Sequence, residues 1–196
     1  MPETEEQFPA EFAAALAEMR RAAHRNDVTV AEITAPRGLA PYAAALSADI
    51  APARHGSDSD QGTGRFVLLY DPDEPDAWGG AFRVVSFAHA PLETDIGLDP
   101  FLAGVTWNWL LGALDGHGAA YTGASGTATT TLSAGFGELA GAPNGAKLEL
   151  RASWTPLDHN LTAHVEGWVE LLCMLAGLPP AGEGISMLSA RRVARG

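Results

Sequence analysis

Four short stretches of this chain hold residue types that could do chemistry. Gly123-Ala124-Ser125-Gly126 approaches a nucleophile elbow, in which a serine is presented on a tight strand-to-helix turn. That turn needs a glycine two residues after the serine, where Thr127 stands, and the segment alternates like a strand with no helix after it. Asp71, Asp73, Glu74 and Asp76 resemble a calcium loop. Asp76 occupies the position that needs glycine, and Pro72 and Pro75 restrict the backbone, so an acidic turn is expected. No two of the six histidines have the i, i+4 spacing of a helical zinc pair. Neither a phosphate-cradling GxxxxGK[ST] nor a GxGxxG after a strand occurs. The single Cys173 falls in a helix near its apolar stripe, where a thiol is inert. No catalytic residue, metal ligand or cofactor is therefore assigned. An enzyme would need a site assembled from dispersed residues, of which Arg83, His89 and Arg151 are the most plausible.

A polar face is the one feature above background. Ser125, Thr127, Thr129 and Thr131 fall on one side of a Thr-rich strand. Lys147, Glu149, Arg151 and Ser153 fall on the outward side of the next. Together they predict a platform of hydroxyls and a few charges. The candidate binding residues are Thr127, Thr129, Thr131, Glu149, Arg151 and Ser153. Arg151 is the anchor, since a guanidinium grips a carboxylate in two parallel bonds. Trp107 and Trp109 sit on a helix with more apolar residues than one buried face needs, which predicts a homodimer seam on that helix or an adjoining strand.

The elements that must carry these residues are set by periodicity. Phe8, Phe12, Leu16, Met19 and Ala23 mark a first helix, with Pro9 in its first turn. Val28 to Ile33 is short and extended. Tyr42 onward is Ala-rich and leans to strand in its second half, to about Ala53. His55 to Gly64 is a polar loop tip. Arg65 to Tyr70 and Ala81 to Ala90 are apolar on both sides, which predicts central strands covered twice. Asp99-Pro100 opens a helix to Asp115, apolar nearly all round and so buried on several sides. Tyr121 to Ala134 is a strand with Tyr121 on the Thr face. From Lys147 to Thr155, Leu148, Leu150, Ala152 and Trp154 face inward. The last helix runs from about Asn160 to Ala176 and stops at Gly177 and Pro179-Pro180.

The order is helix, three strands, helix, two strands, helix: an α+β fold with a single antiparallel sheet of about five strands and three principal helices. At 196 residues, one domain over 1–180 with a tail over 181–196 is expected. The net charge of −12 argues against direct nucleic-acid binding and against an anionic membrane surface. No apolar run is long enough to span a bilayer, and the acidic N-terminus is the wrong sign for a leader, so a cytoplasmic protein is expected.

Gly64–Phe87 (GRFVLLYDPDEPDAWGGAFRVVSF), Trp107–Gly126 (WNWLLGALDGHGAAYTGASG), Arg151–Pro156 (RASWTP) and His164–Pro180 (HVEGWVELLCMLAGLPP) resemble an actinobacterial family known only as domain of unknown function 3000. The resemblance implies a cytoplasmic actinobacterial protein, with genes often near that of ribonuclease D, and no activity or cofactor. The element order is similar to the type III secretion chaperone-like fold shared by YbjN-like proteins, mostly small acidic homodimers that bind other proteins. The leading expectation is a non-catalytic protein-binding module, chaperone-like or adaptor-like, with an unidentified protein partner. The alternatives are the dispersed-site enzyme and an RNA-metabolism factor acting through a protein partner.

Overall fold

The computed structural model describes residues 8–50, 62–140 and 145–178. The expected loop tip from His55, the strand end at Ala53 and the tail over 181–196, with Arg191, Arg192 and Arg195, lie wholly or largely outside them. The chain opens with helix α1 (Ala10–Arg21), followed by strands β1 (Val28–Ile33), β2 (Tyr42–Ile50), β3 (Thr63–Tyr70) and β4 (Phe82–Leu92). A short helix α2 (Thr94–Gly97) and a long one, α3 (Leu102–Gly116), come after β4. Next are β5 (Tyr121–Ser133), the 3-10 turn Gly137–Leu139, β6 (Gly145–Pro156) and α4 (Leu161–Leu175). The strands form one antiparallel six-stranded sheet in the order β1-β2-β3-β4-β6-β5.

The expected α+β class and single antiparallel sheet are therefore present, with two corrections. Six strands form rather than five, because Val28–Ile33 pairs fully with β2 and adds an edge. Four helices form rather than three, because the segment before Asp99 makes its own turn, α2. Asp99 still caps the turn that leads into α3: its Oδ1 accepts from the Phe101 N–H at 2.8 Å.

The long helices lie on one side of the sheet. Phe12 of α1 stacks on Tyr70 of β3, and Trp168 of α4 packs on Phe66 of β3. Gly64 makes the α4 contact possible, since a Cβ there would fall 2.8 Å from the Trp168 ring and from Leu172. The burial expected for α3 belongs to α4. That helix runs between α1 and α3 and buries residues all round, among them Leu161, His164, Trp168 and Leu171. α3 buries only Leu102, Thr106, Leu110, Ala113 and Leu114, and Trp109 stays 37% exposed. An apolar circumference did not mean burial because α4 already occupied the middle of the sheet. The last helix ends at the expected glycine, while Pro179-Pro180 lie outside the described residues. Gly177 takes φ +69°, and the Leu178 N–H reaches back to the Cys173 carbonyl at 2.9 Å.

Candidate functional site: the uncovered sheet face

Alternation along each strand sends every second side chain away from the helices. On β6 these are Lys147, Glu149, Arg151, Ser153 and Thr155, the set expected. Cross-strand register on β5 places Thr127 opposite Arg151, Thr129 opposite Glu149, Thr131 opposite Lys147 and Ser125 opposite Ser153. All six candidate residues thus share one face, and three of them, Thr127, Arg151 and Ser153, bound with Ser125 a shallow depression of about 360 Å³. Tyr121 does not join them. Gly123, at φ +59°, adds one residue to β5 between Thr122 and Ser125, and this bulge turns Tyr121 onto the helix side.

The face extends further than the sequence pattern suggested. β3 and β4 are central, and among the described residues the helices cover only one side of them. The other side buries Leu69 and Thr155 near the β3–β4 connection but keeps Val67, Val85 and Phe87 on the face, with Val85 38% exposed. Register continues one transverse row as Ser47, Arg65, Phe87, Arg151 and Thr127. Here an aromatic ring lies between two arginines. Arg151 Cζ stands 5.8 Å from the Phe87 ring centre, and the His89 ring lies parallel to that of Phe87 at 6.5 Å. Arg151 Nε donates to Glu149 Oε1 at 2.6 Å, which steadies a guanidinium that stays 69% exposed. Arg65 is exposed and pairs with no described acid.

Arg83 is used differently. Its Nη1 donates to Thr155 Oγ1 at 2.9 Å, and its Nη2 to Ser153 Oγ at 2.7 Å and the Gly123 carbonyl at 3.2 Å. Burial lowers its pKa. It staples β4, β6 and the β5 bulge together. Thr155 points outward with its β6 neighbours but is buried under the β3–β4 connection, where its hydroxyl donates to the Trp78 carbonyl.

Two other features lie on the helix side. A groove of about 510 Å³ runs between the ends of α1, α3 and α4, lined by His24, Glu166, Cys173 and Met174 among others. His117, between two glycines at the end of the helix, caps α3 through its backbone N–H. Its ring pairs with Glu166 at 3.4 Å and with Glu170. Cys173 beside it is buried, and burial pushes its thiol up to about 11. Among the described residues no group of three or more His, Cys, Asp or Glu converges to hold a metal, and no helix is long and apolar enough to cross a membrane.

Among the described residues, these features define an α+β protein with one helical layer and a sheet face left open over much of its area, which carries polar, cationic and aromatic side chains. Residues 8–185 match the family described as Protein of unknown function (DUF3000), and the chain belongs to that family. No curated protein and no solved structure matches it.

Phe87, Val85 and Arg65 escaped the sequence reading of the site. Their signal was available: two strands apolar on both sides in a chain with too few long helices to cover a sheet twice.

Proposed function

We propose that this protein is a non-catalytic binding module of the cytoplasm, of chaperone or adaptor type, which seats an acidic segment of a protein partner on its bare sheet face. The row Arg65–Phe87–Arg151 carries this reading. Four basic residues (Arg65, Arg83, Lys147, Arg151) share the face with two acidic ones (Asp49, Glu149), in a chain whose net charge is −12. The face is therefore locally inverted in sign, and an acidic segment would be steered to it and away from the rest. Val85 and Phe87 supply apolar area between the charges. The strands hold these side chains in place before binding, so little ordering entropy is lost.

The dispersed-site enzyme finds less support. Arg83 and His89 are six residues apart on one extended strand, about 20 Å, and Arg83 is committed to three hydrogen bonds. The parallel rings of Phe87 and His89 beside two arginines could stack nucleobases. Against that stand Glu149 on the same face and the overall negative charge, which repel a phosphate backbone.

The test is an amide-shift titration with an Asp/Glu-rich peptide containing one apolar anchor and, separately, with single-stranded RNA. Shifts confined to β3, β4 and β6 for the peptide are expected, with affinity lowered about tenfold by Arg151→Lys because the planar fork is lost. Shifts elsewhere, a response to RNA alone, or equal affinity for Arg151→Lys would overturn the proposal.

A further inference from the structure

The two edges of the sheet are built differently. β1 has six residues and carries Glu32, which Arg20 of α1 holds at 2.6 Å. Short length and an ion pair are ordinary ways of blunting an edge against pairing. β5 has thirteen residues and contains neither a charged residue nor a proline. Its bulge lies at the N-terminal end, leaving Ser125–Ser133 in regular register with β6 and, among the described residues, unpaired on its other side. Nine residues at ~3.4 Å each expose about 30 Å of backbone donors and acceptors. Nothing in that stretch resists a further strand.

We propose that β5 is the homodimer interface, pairing antiparallel with β5 of a second copy about a two-fold axis through Thr129. The occupant is a second copy because of charge and self-complementarity. Two chains of −12 each repel at most approaches, and β5 is an edge where they can meet without opposing like charges. The two-fold sets Thr129 against Thr129, Thr127 against Thr131 and Ser125 against Ser133. Such Thr and Ser pairs are favourable across antiparallel strands, and a two-fold seam must match itself in this way. On the helix side the same register brings Leu132 of the second copy opposite Gly126. The Trp107 ring already lies over that glycine, 2.9 Å from where a Cβ would be. Leu132, 49% exposed, thereby gains an aromatic neighbour. Exposed Phe136 and Leu139, just past the strand, add apolar area toward the ~800 Å² per partner of a stable interface. Both bare faces end on the same side of one continuous sheet.

Light scattering at tens of micromolar should give twice the 20.4 kDa chain mass. Thr129→Lys, which sets two ammonium groups against each other, should return the mass to 20.4 kDa with secondary structure intact. Thr129→Val should keep the dimer, as should Thr29→Lys on the β1 edge. In a Cys173→Ser background, Thr129→Cys should form a disulfide-linked dimer under mild oxidation, because residues directly opposite on antiparallel strands lie within disulfide reach. A wild-type mass of 20.4 kDa would overturn the proposal. So would a dimer indifferent to Thr129→Lys, or one that only Val105→Glu on α3 dissolves. Thr129 also lies on the proposed peptide face, opposite Glu149, so the peptide titration is read on the wild-type chain and Arg151→Lys, not on Thr129 variants. The mass is read on the wild-type chain and the Thr129, Thr29 and Val105 variants. The two proposals therefore fail or succeed separately.

Discussion

Trp154 of β6 donates its indole N–H to Nδ1 of His164 on α4, at 3.0 Å, in the interior between helix and sheet. Both side chains are fully buried. The other imidazole nitrogen, Nε2, makes no hydrogen bond of good geometry among the described residues, though the ring is near enough to the Ala120 backbone to interact with it weakly. Burial holds the His164 pKa down to about 4, with Asp158 and the Ala120 backbone opposing only in part. The ring is thus neutral in the native protein at pH 7.

That fixes the sign of a pH dependence. The unfolded histidine takes up its proton near its ordinary pKa, about 6.5, while the folded one does not until about 4. The stability associated with neutral His164 is complete above the unfolded value and is lost as pH falls through that window. Between pH 7 and pH 5 the loss is about 2 kcal/mol for one such group. His164→Asn keeps an acceptor for the Trp154 N–H and cannot titrate. Urea denaturation across pH 7 to 5 should show a slope shallower by about that amount in the variant. Parallel curves would mean that another group carries the acid sensitivity.

Trp168 sits mid-helix with no solvent exposure, 5.6 Å from the Phe66 ring, and its indole N–H reaches the Phe87 carbonyl at 3.4 Å. Trp168→Ala should cost about 3–5 kcal/mol through the cavity it leaves. The chain would then be destabilised from the helix side, beneath the strand that carries Phe87. An unchanged denaturation midpoint would place the helix face elsewhere.

Arg83 joins three segments that no single backbone ladder joins. Arg83→Lys keeps the charge but cannot reach Thr155, Ser153 and the Gly123 carbonyl together. It should cost about 1–3 kcal/mol, the value of lost hydrogen bonds to a charged group. The β5 bulge should show it first, as faster amide exchange around Gly123. Exchange at Gly123 equal to wild type would contradict the staple.

The elements whose pattern depends on their own residues were legible. β6 alternates Leu148, Leu150, Ala152 and Trp154 against polar neighbours, and α4 carries its own stop at Gly177. Features that depended on neighbours were not. Phe101, just before α3, and Val105 and Trp109 on it look like core residues until α4 is seen to fill the middle of the sheet. Val67 and Val85 look doubly covered until the helices all fall on one side. Tyr121 shares the parity of Ser125 until Gly123, with its positive φ, is seen to add a residue. The candidate site was half visible for the same reason. Its β5–β6 part is set by local alternation, while Arg65 and Phe87 join it only through the sheet order.

Val84 and Val85 are adjacent on β4 and point to opposite sides, so they test that assignment directly. Val84 is fully buried beneath the helices, whereas Val85 lies on the bare face. The same isosteric change, valine to threonine, places a hydroxyl in each environment. At Val84 the hydroxyl loses water with the backbone already engaged in the ladder, which costs about 1–3 kcal/mol. At Val85 it stays hydrated beside Ser153, its register partner on β6, and the change should fall within about 0.5 kcal/mol. Peptide binding should respond in the reverse order. Val85→Thr removes apolar contact next to Phe87 and should weaken the acidic peptide a few-fold, while Val84→Thr should leave its affinity unchanged wherever the protein remains folded. Equal destabilisation at the two positions would mean that a second layer covers β4 and that the face is not open.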